Sequence, residues 1–407
     1  MTKSSVTLCA RSDAQYSARK TLLIQDRFTR SRCYVARALC LLALASAGVP
    51  YIAAASESSP KRIVIAGIGR SGSYDASLAQ GPSGRLWMSY SVVKPSPEVG
   101  TVLNHISTHL AYSDDRGHNW IDAGRIVNLA TAVALPPPHN HLAAVWEHEV
   151  PAIVYDPHDV PSRRWKLLWH RYLRVYDQSR PVSVPLFEHG WVGLKTAPAP
   201  RGQWSRERKL FAGAIYNRVN DVTIGPPELE LDKLFPGQRD LGNCLAFTEP
   251  GMLADAEGIY VSMKCAAGKA GGKVILLKCA HDFASCDYRG TFLSDSDARH
   301  YGDRYSGFSA TELVRKNGRV FLLVTPTEDP GELYRGCLAF EIRSLETATL
   351  YQRSGSPKVI LRVVGDAGSI NGACGYTPGS DRSGVIYGQY FHGLRPAFRL
   401  FRSGRNL

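Results

Sequence analysis

Helical periodicity is nearly absent from this chain of 407 residues: apolar residues seldom recur at the three- and four-residue spacings of an amphipathic helix. Coiled coils and helix bundles are thereby excluded. No CxxC pair and no His-rich spacing occurs, so the usual zinc frameworks are missing as well. No polybasic run with interleaved aromatics occurs either, and nucleic acid is not an expected partner. Charge of one sign is in mild excess only. Lys and Arg number 49 against 36 Asp and Glu, and the first 55 residues hold eight bases and two acids, which leaves +7 of the total +13 to the rest. Such a surplus suits an anionic glycan or plain solubility. With 44% hydrophobic and 21% charged residues, the chain can bury a core too large for a disordered tail or a collagen-like rod.

The amino terminus is set apart. A basic stretch ends at Arg37, the apolar run from Ala38 to Ala47 follows, and small residues Ala53, Ala54 and Ala55 precede a polar segment. These are the parts of a secretory signal, so export to the periplasm or the cell exterior is expected. The basic region is long, however, and about eighteen rather apolar residues nearly suffice to span a bilayer. Residues 1–58 are therefore read as a signal peptide or an uncleaved membrane anchor, and only that anchor would make a membrane a partner. Residues 59–407 are read as one folded domain. Cys9, Cys33 and Cys40 fall in the leader. The remaining six, Cys244, Cys265, Cys279, Cys286, Cys337 and Cys374, are an even number suited to disulfides in an oxidising compartment. Cys279 with Cys286 across a hairpin is the easiest pair; the other pairings stay open, as does a set of free buried thiols.

Short alternating or β-branched and aromatic runs bounded by Gly, Pro, Asn and Asp fill the domain, and the fold class they indicate is all-β. One pattern returns five times: a small residue or proline opens an apolar strand, a turn follows, and an aromatic-rich strand comes back. The openings are Ala76, Pro151, Pro250, Ala310 and Ala373, at spacings of 75, 99, 60 and 63. Periods of this size suit four-stranded blades of a single β-propeller with loop insertions. Five blades are expected. Six is the alternative, but it needs a further blade within residues 170–245, where the run from Phe187 to Leu194 is short. The last blade lacks a strand after Phe398-Arg399-Leu400-Phe401, and Arg62-Ile63-Val64-Ile65-Ala66 can supply it, closing the ring with both chain ends. Segments 113–120, 196–204 and 280–286 form a second repeat, at the distance expected for an outer hairpin of the same blades.

The first of these segments, Ser113-Asp114-Asp115-Arg116-Gly117-His118-Asn119-Trp120, resembles the Asp-box of the sialidase and BNR-repeat proteins. Asp115 can cap its own turn, Gly117 admits a positive φ and Trp120 can pack between blades, so the motif marks a fold and not a chemistry. Across residues 62–407 the blade texture, including Glu147-His148-Glu149-Val150-Pro151, is similar to that of five-bladed β-propeller glycoside hydrolases.

In a propeller the inner strands line a central channel, so their starting residues converge at one mouth. Before the first three openings stand Asp75, Glu149 and Glu249, and glycoside hydrolysis needs one carboxylic acid and one carboxylate against an oxocarbenium-like centre. The resemblance implies Asp75 as base, Glu149 as modulator and Glu249 as general acid. A secreted enzyme acting on a carbohydrate through paired carboxylates is the reading that follows. Arg70, Trp146, His148, His170, Tyr305, Arg335 and Asn371 are the expected substrate-binding residues, with Trp146, Tyr305 and Tyr390 able to stack on a sugar ring. No cofactor or metal ligand is assigned, although a structural calcium in the channel is left open.

Two other functions compete. A sialidase-like enzyme would need an arginine clamp on a substrate carboxylate and a tyrosine nucleophile assisted by a glutamate; Arg-Ile-Pro, which that family carries near its first blade, is missing, and Arg70, Arg335 and Arg399 are the candidate clamps. A non-catalytic glycan-binding propeller needs no carboxylates at all.

Overall fold

The computed structural model describes residues 59–407, apart from 96–103, 128–131, 135–136, 138–139, 141, 178–185, 212–215, 218–221, 224–233, 245, 268–270, 329–332, 365–368, 378–383 and 392–396. The leader expected over residues 1–58 lies outside the described residues.

Five antiparallel blades follow one another along the chain. Their inner strands are Gly72–Gln80, Leu142–Tyr155, Ala246–Asp255, Gly307–Lys316 and Ser369–Tyr376. Each turns back into a second strand, and together these hairpins are the five repeats seen in the sequence. The segments 113–120, 196–204 and 280–286 join the third and fourth strands of blades 1, 2 and 3. Closure is by both chain ends: Lys61–Ile63 adds antiparallel to Ala397–Arg402 as the outermost strand of blade 5, with Ile63 opposite Leu400. The next residues, Ile65–Ala66, run parallel to the outer strand of blade 1. The stretch that a sixth blade would need gives its Leu186–Ala197 to blade 2, and among its other described residues the only extra ladder is the pair Tyr216–Asn217 with Val222–Thr223.

The core is divided among the blade interfaces. Because side chains alternate across a strand, each blade offers one apolar face to either neighbour. Ile153, Leu167 and Trp165 of blade 2 meet Trp87 and Leu110 of blade 1. Ala152, Leu168 and Val192 meet Phe247, Met252 and Ile259 of blade 3. Equivalent clusters fill the remaining three interfaces. A sixth cluster gathers Tyr74, Val93, Ile106, Val150, Ala310 and Ala373 around the hub. At about 1.5–3 kcal/mol for each large side chain fully buried, the interfaces hold the ring closed.

All six described cysteines are paired. Cys279–Cys286 closes the outer hairpin of blade 3, Cys244–Cys265 ties the chain entering that blade to its second strand, and Cys337–Cys374 joins blade 4 to blade 5.

One irregularity recurs in every inner strand. The register slips between Tyr74 and Ser77, Glu149 and Ala152, Thr248 and Gly251, Ser309 and Glu312, and Gly372 and Gly375. Within each slip one residue has a positive φ: Asp75 (53°), Val150 (46°), Glu249 (55°), Ala310 (41°) and Ala373 (51°). A bulge of this kind re-aims a side chain, and a non-glycine residue held there costs about 1–3 kcal/mol. Five copies of that strain ring the hub.

Candidate active site

The bulges make the acids of blades 1 and 3 equivalent and set that of blade 2 apart. Asp75 and Glu249 occupy the left-handed position of blades 1 and 3, where blade 2 has Val150; Glu149 stands one residue earlier. A cavity of about 310 Å³ opens at this end of the ring, and its lining includes Tyr74, Asp75, Glu149, Val150, Tyr334 and Tyr390.

Each carboxyl group is held differently. Ser91 Oγ donates to Asp75 Oδ2 at 2.6 Å, and the Val150 backbone N–H, freed by the bulge of blade 2, donates to the same oxygen at 3.3 Å. Glu249 makes the corresponding contact one blade further on, accepting the Ala310 N–H at Oε2 (2.8 Å) together with the Ser309 hydroxyl, while Tyr334 donates to Oε1 at 2.6 Å. In blade 4 the hydroxyl of Thr325 takes the Ala373 N–H at 2.8 Å. The acids thus satisfy backbone donors that the bulges leave over. Glu149 is partly open to the cavity.

Electrostatics separate the groups further. Burial pushes Asp75 up to about 7 against the hydrogen bonds from Ser91 and Val150, and the charge of Glu249 adds to the rise. Glu149 lies well above the carboxylate range, first through burial and then through the charges of Asp75 and Glu249, with Arg174 opposing. Arg174 stands 3.5 Å from Glu147, whose other oxygen accepts the Ile106 N–H at 2.7 Å. Glu147 is therefore pinned between two blades. The site holds a carboxylic acid facing the cavity, a second carboxyl group titrating near neutrality, and a third fixed in place by three donors.

The expected binding residues are placed elsewhere. Trp146 and His148 alternate with Glu147 and Glu149 and so take the opposite face of their strand. Trp146 packs on Trp191 at 4.8 Å with the Arg171 guanidinium over its ring. His148 accepts the Trp169 indole N–H at 3.1 Å, and burial pulls it down to about 3, so it is neutral at ordinary pH. His170 is buried beside Tyr172, directly across the ladder from Glu149. Arg70 is exposed in a turn, and Tyr305 packs against the interface of blades 3 and 4. Arg335 pairs with Glu328 at 2.5 Å, and Asn371 turns its amide to Ser369. Arg399, a candidate clamp, is exposed. None of these residues is in the cavity lining, whereas Tyr390 is.

Tyr74, Tyr334, Ile370 and Phe398 are lining residues that the sequence did not single out. Tyr74 and Ile370 each sit beside a residue that was noticed, at a strand opening. Tyr334 sits beside Arg335 but at no strand opening, because the two-residue strand Leu333–Tyr334 lies outside the repeat.

Among the described residues no group of three or more His, Cys, Asp and Glu side chains is arranged to hold a metal ion. Asp115 behaves as a turn residue: it accepts the His118 and Asn119 N–H groups and the Ser113 hydroxyl, and these bonds hold it at about 2.

The chain matches no protein-family model and no curated protein. It is similar in structure to an exo-1,5-α-L-arabinanase from a bovine ruminal metagenomic library, at 12% identity and a TM-score of 0.41 over 82% of this chain and 94% of that one. It is similar to an exo-β-1,3-galactanase from Clostridium thermocellum at 10% identity and a TM-score of 0.49, over 84% and 61% of the two chains. A protein of unknown function from Dyadobacter fermentans gives 10% identity and a TM-score of 0.47 over 84% and 97%. At these values the likenesses carry no inference about chemistry.

Proposed function

We propose that this protein is an exported glycoside hydrolase whose reacting groups are Asp75, Glu149 and Glu249. The observation that carries the reading is the gathering of three carboxyl groups from blades 1, 2 and 3 at the hub, Asp75 and Glu149 lining the cavity and Glu249 behind it on the lining Tyr334, with burial and mutual charge keeping a proton on Glu149. Hydrolysis of a glycosidic bond asks for that asymmetry: a protonated carboxyl group for the leaving oxygen and ionised ones beside the developing positive charge. The pairing of all six described cysteines supports an oxidising compartment.

The resemblance to five-bladed glycoside hydrolases implied Glu249 as the acid. The hydrogen bonds favour a different division of labour. Glu249 is tied down by three donors behind the lining Tyr334; Asp75, at about 7, is poised as base or nucleophile; Glu149, facing the cavity, is the proton donor. Leaving-group dependence tests this. Glu149→Gln is expected to lose about 10²–10⁴-fold on alkyl glycosides and far less on nitrophenyl glycosides, whose leaving group needs no proton. Equal losses on both would return the acid to another residue. Silence of the wild-type protein on a broad panel of furanosides, pyranosides and sialosides would leave the glycan-binding reading in its place.

Little favours the sialidase reading. Among the described residues no arginine is in the cavity lining, and Tyr334, although it donates to Glu249, has its phenol raised by burial and by the neighbouring carboxylates, the reverse of an activated nucleophile.

A further inference from the structure

Among the described residues, the walls of the cavity are poor in hydrogen-bonding groups. Val93, Ile106, Val150, Leu333, Ile370 and Phe398 bring only apolar side chains to it, its charged described lining residues are Asp75 and Glu149, and the rest are Tyr74, Tyr390 and Tyr334, whose hydroxyl is already given to Glu249. The rings are arranged as a box, with Tyr74 edge-on to Phe398 at 5.7 Å and Tyr390 stacked on Phe398 at 4.4 Å. A fully hydroxylated sugar placed here would press hydroxyl groups against walls that cannot pair with them, and each unpaired hydroxyl loses the water it left.

A second observation concerns Tyr74 itself. The residue is only 7% exposed, and its hydroxyl is closed off from solvent without a hydrogen-bond partner among the described residues. The ring is part of the lining, and the phenol feels the charges of Asp75 and Glu149. A buried hydroxyl left unpaired in a folded protein calls for an explanation, and a ligand group is one.

We propose that the sugar ring bound in this cavity is a deoxygenated one, a deoxy sugar whose C–H faces lie on the apolar and aromatic walls and whose one remaining inward hydroxyl pairs with the Tyr74 hydroxyl. As a statement about the substrate this rests on the glycosidase reading; as a statement about what the cavity binds it does not. Aromatic faces suit the C–H face of such a ring, and the carboxyl groups stay free for the anomeric centre.

The test uses sugars that differ by one hydroxyl. Calorimetric binding of methyl β-D-fucopyranoside against methyl β-D-galactopyranoside, and of methyl α-L-rhamnopyranoside against methyl α-L-mannopyranoside, is measured on the full chain. In at least one pair the deoxy sugar is expected to bind tenfold tighter or more; if no pair separates by that factor in this direction, the inference is overturned. Tyr74→Phe, which deletes only the orphan hydroxyl, is expected to weaken the preferred deoxy sugar about tenfold while leaving the thermal midpoint of the free protein unchanged or higher. A lower midpoint with unchanged affinity would make Tyr74 structural and sink its role. The hydrolysis panel is read separately, so a protein that prefers deoxy sugars but cleaves none keeps this inference and loses the enzymatic one.

Discussion

Asp75 and Glu249 spend part of their hydrogen-bonding capacity on the backbone of the neighbouring blade, and this structural duty sets their chemistry. Glu249 is fixed in place by the donors it satisfies, while burial outweighs the two bonds to Asp75 and holds it near 7. Glu312 joins them at the hub: it is buried, and burial raises it well above its ordinary value despite bonds from Ser77 and the Leu313 backbone. Since Asp75, Glu149 and Glu312 hold protons more tightly folded than unfolded, their contribution to stability is complete below about pH 4 and is lost as pH rises, through about 7 for Asp75. Urea midpoints are therefore expected to fall between pH 5 and pH 8, and Asp75→Asn or Glu312→Gln should flatten the fall. A midpoint that climbs over this range would contradict a protonated hub.

Inner strands place these residues through two backbone devices, the bulge and the close approach. The strand openings were visible in the sequence but the bulges were not, because a positive φ is usually betrayed by glycine and none of the five positions has one. Glycine appears instead where rings pass: a Cβ added at Gly388 would stand 2.4 Å from the ring of Tyr74, and one at Gly372 would stand 2.9 Å from that of Tyr334. Gly388→Ala should therefore push Tyr74 towards the cavity and lower kcat/KM on a cleaved aryl glycoside tenfold or more. Gly318→Ala is the control. That turn glycine has a φ of +75° with open space around it, so about 1 kcal/mol of stability should be lost with activity unchanged. Equal kinetic effects of the two substitutions would rule out a specific role for the Gly388 contact.

At the scale of the ring, the apolar clusters between blades are joined by one covalent link across an interface, Cys337–Cys374. The chain-entropy account gives about 4 kcal/mol for its sequence separation of 37, and about 2.5 kcal/mol for the separation of 7 at Cys279–Cys286. Replacing Cys337 and Cys374 by Ala should thus lower the denaturant midpoint more than the same change at Cys279 and Cys286. The opposite order would mean that blade 3 depends on its outer hairpin more than the ring depends on the tie between its last two blades.

The blade count, the hairpins and the use of both chain ends for closure were legible in the sequence, because strand periodicity and turn residues are local and the repeat states the same information five times. Asp75 and Glu249 were legible for the same reason, as acids at strand openings. What local pattern left undecided was phase and partner. Alternation says that residues 146 and 148 face one way and 147 and 149 the other, but only packing against blades 1 and 3 decides that Glu149 meets the cavity while His148 meets Trp169. The proton on Glu149 and the three donors on Glu249 likewise depend on groups brought near by ring closure, some of them 60 to 85 positions away along the chain. Burial and hydrogen bonding act through space, and the distances they depend on exist only once the ring has closed.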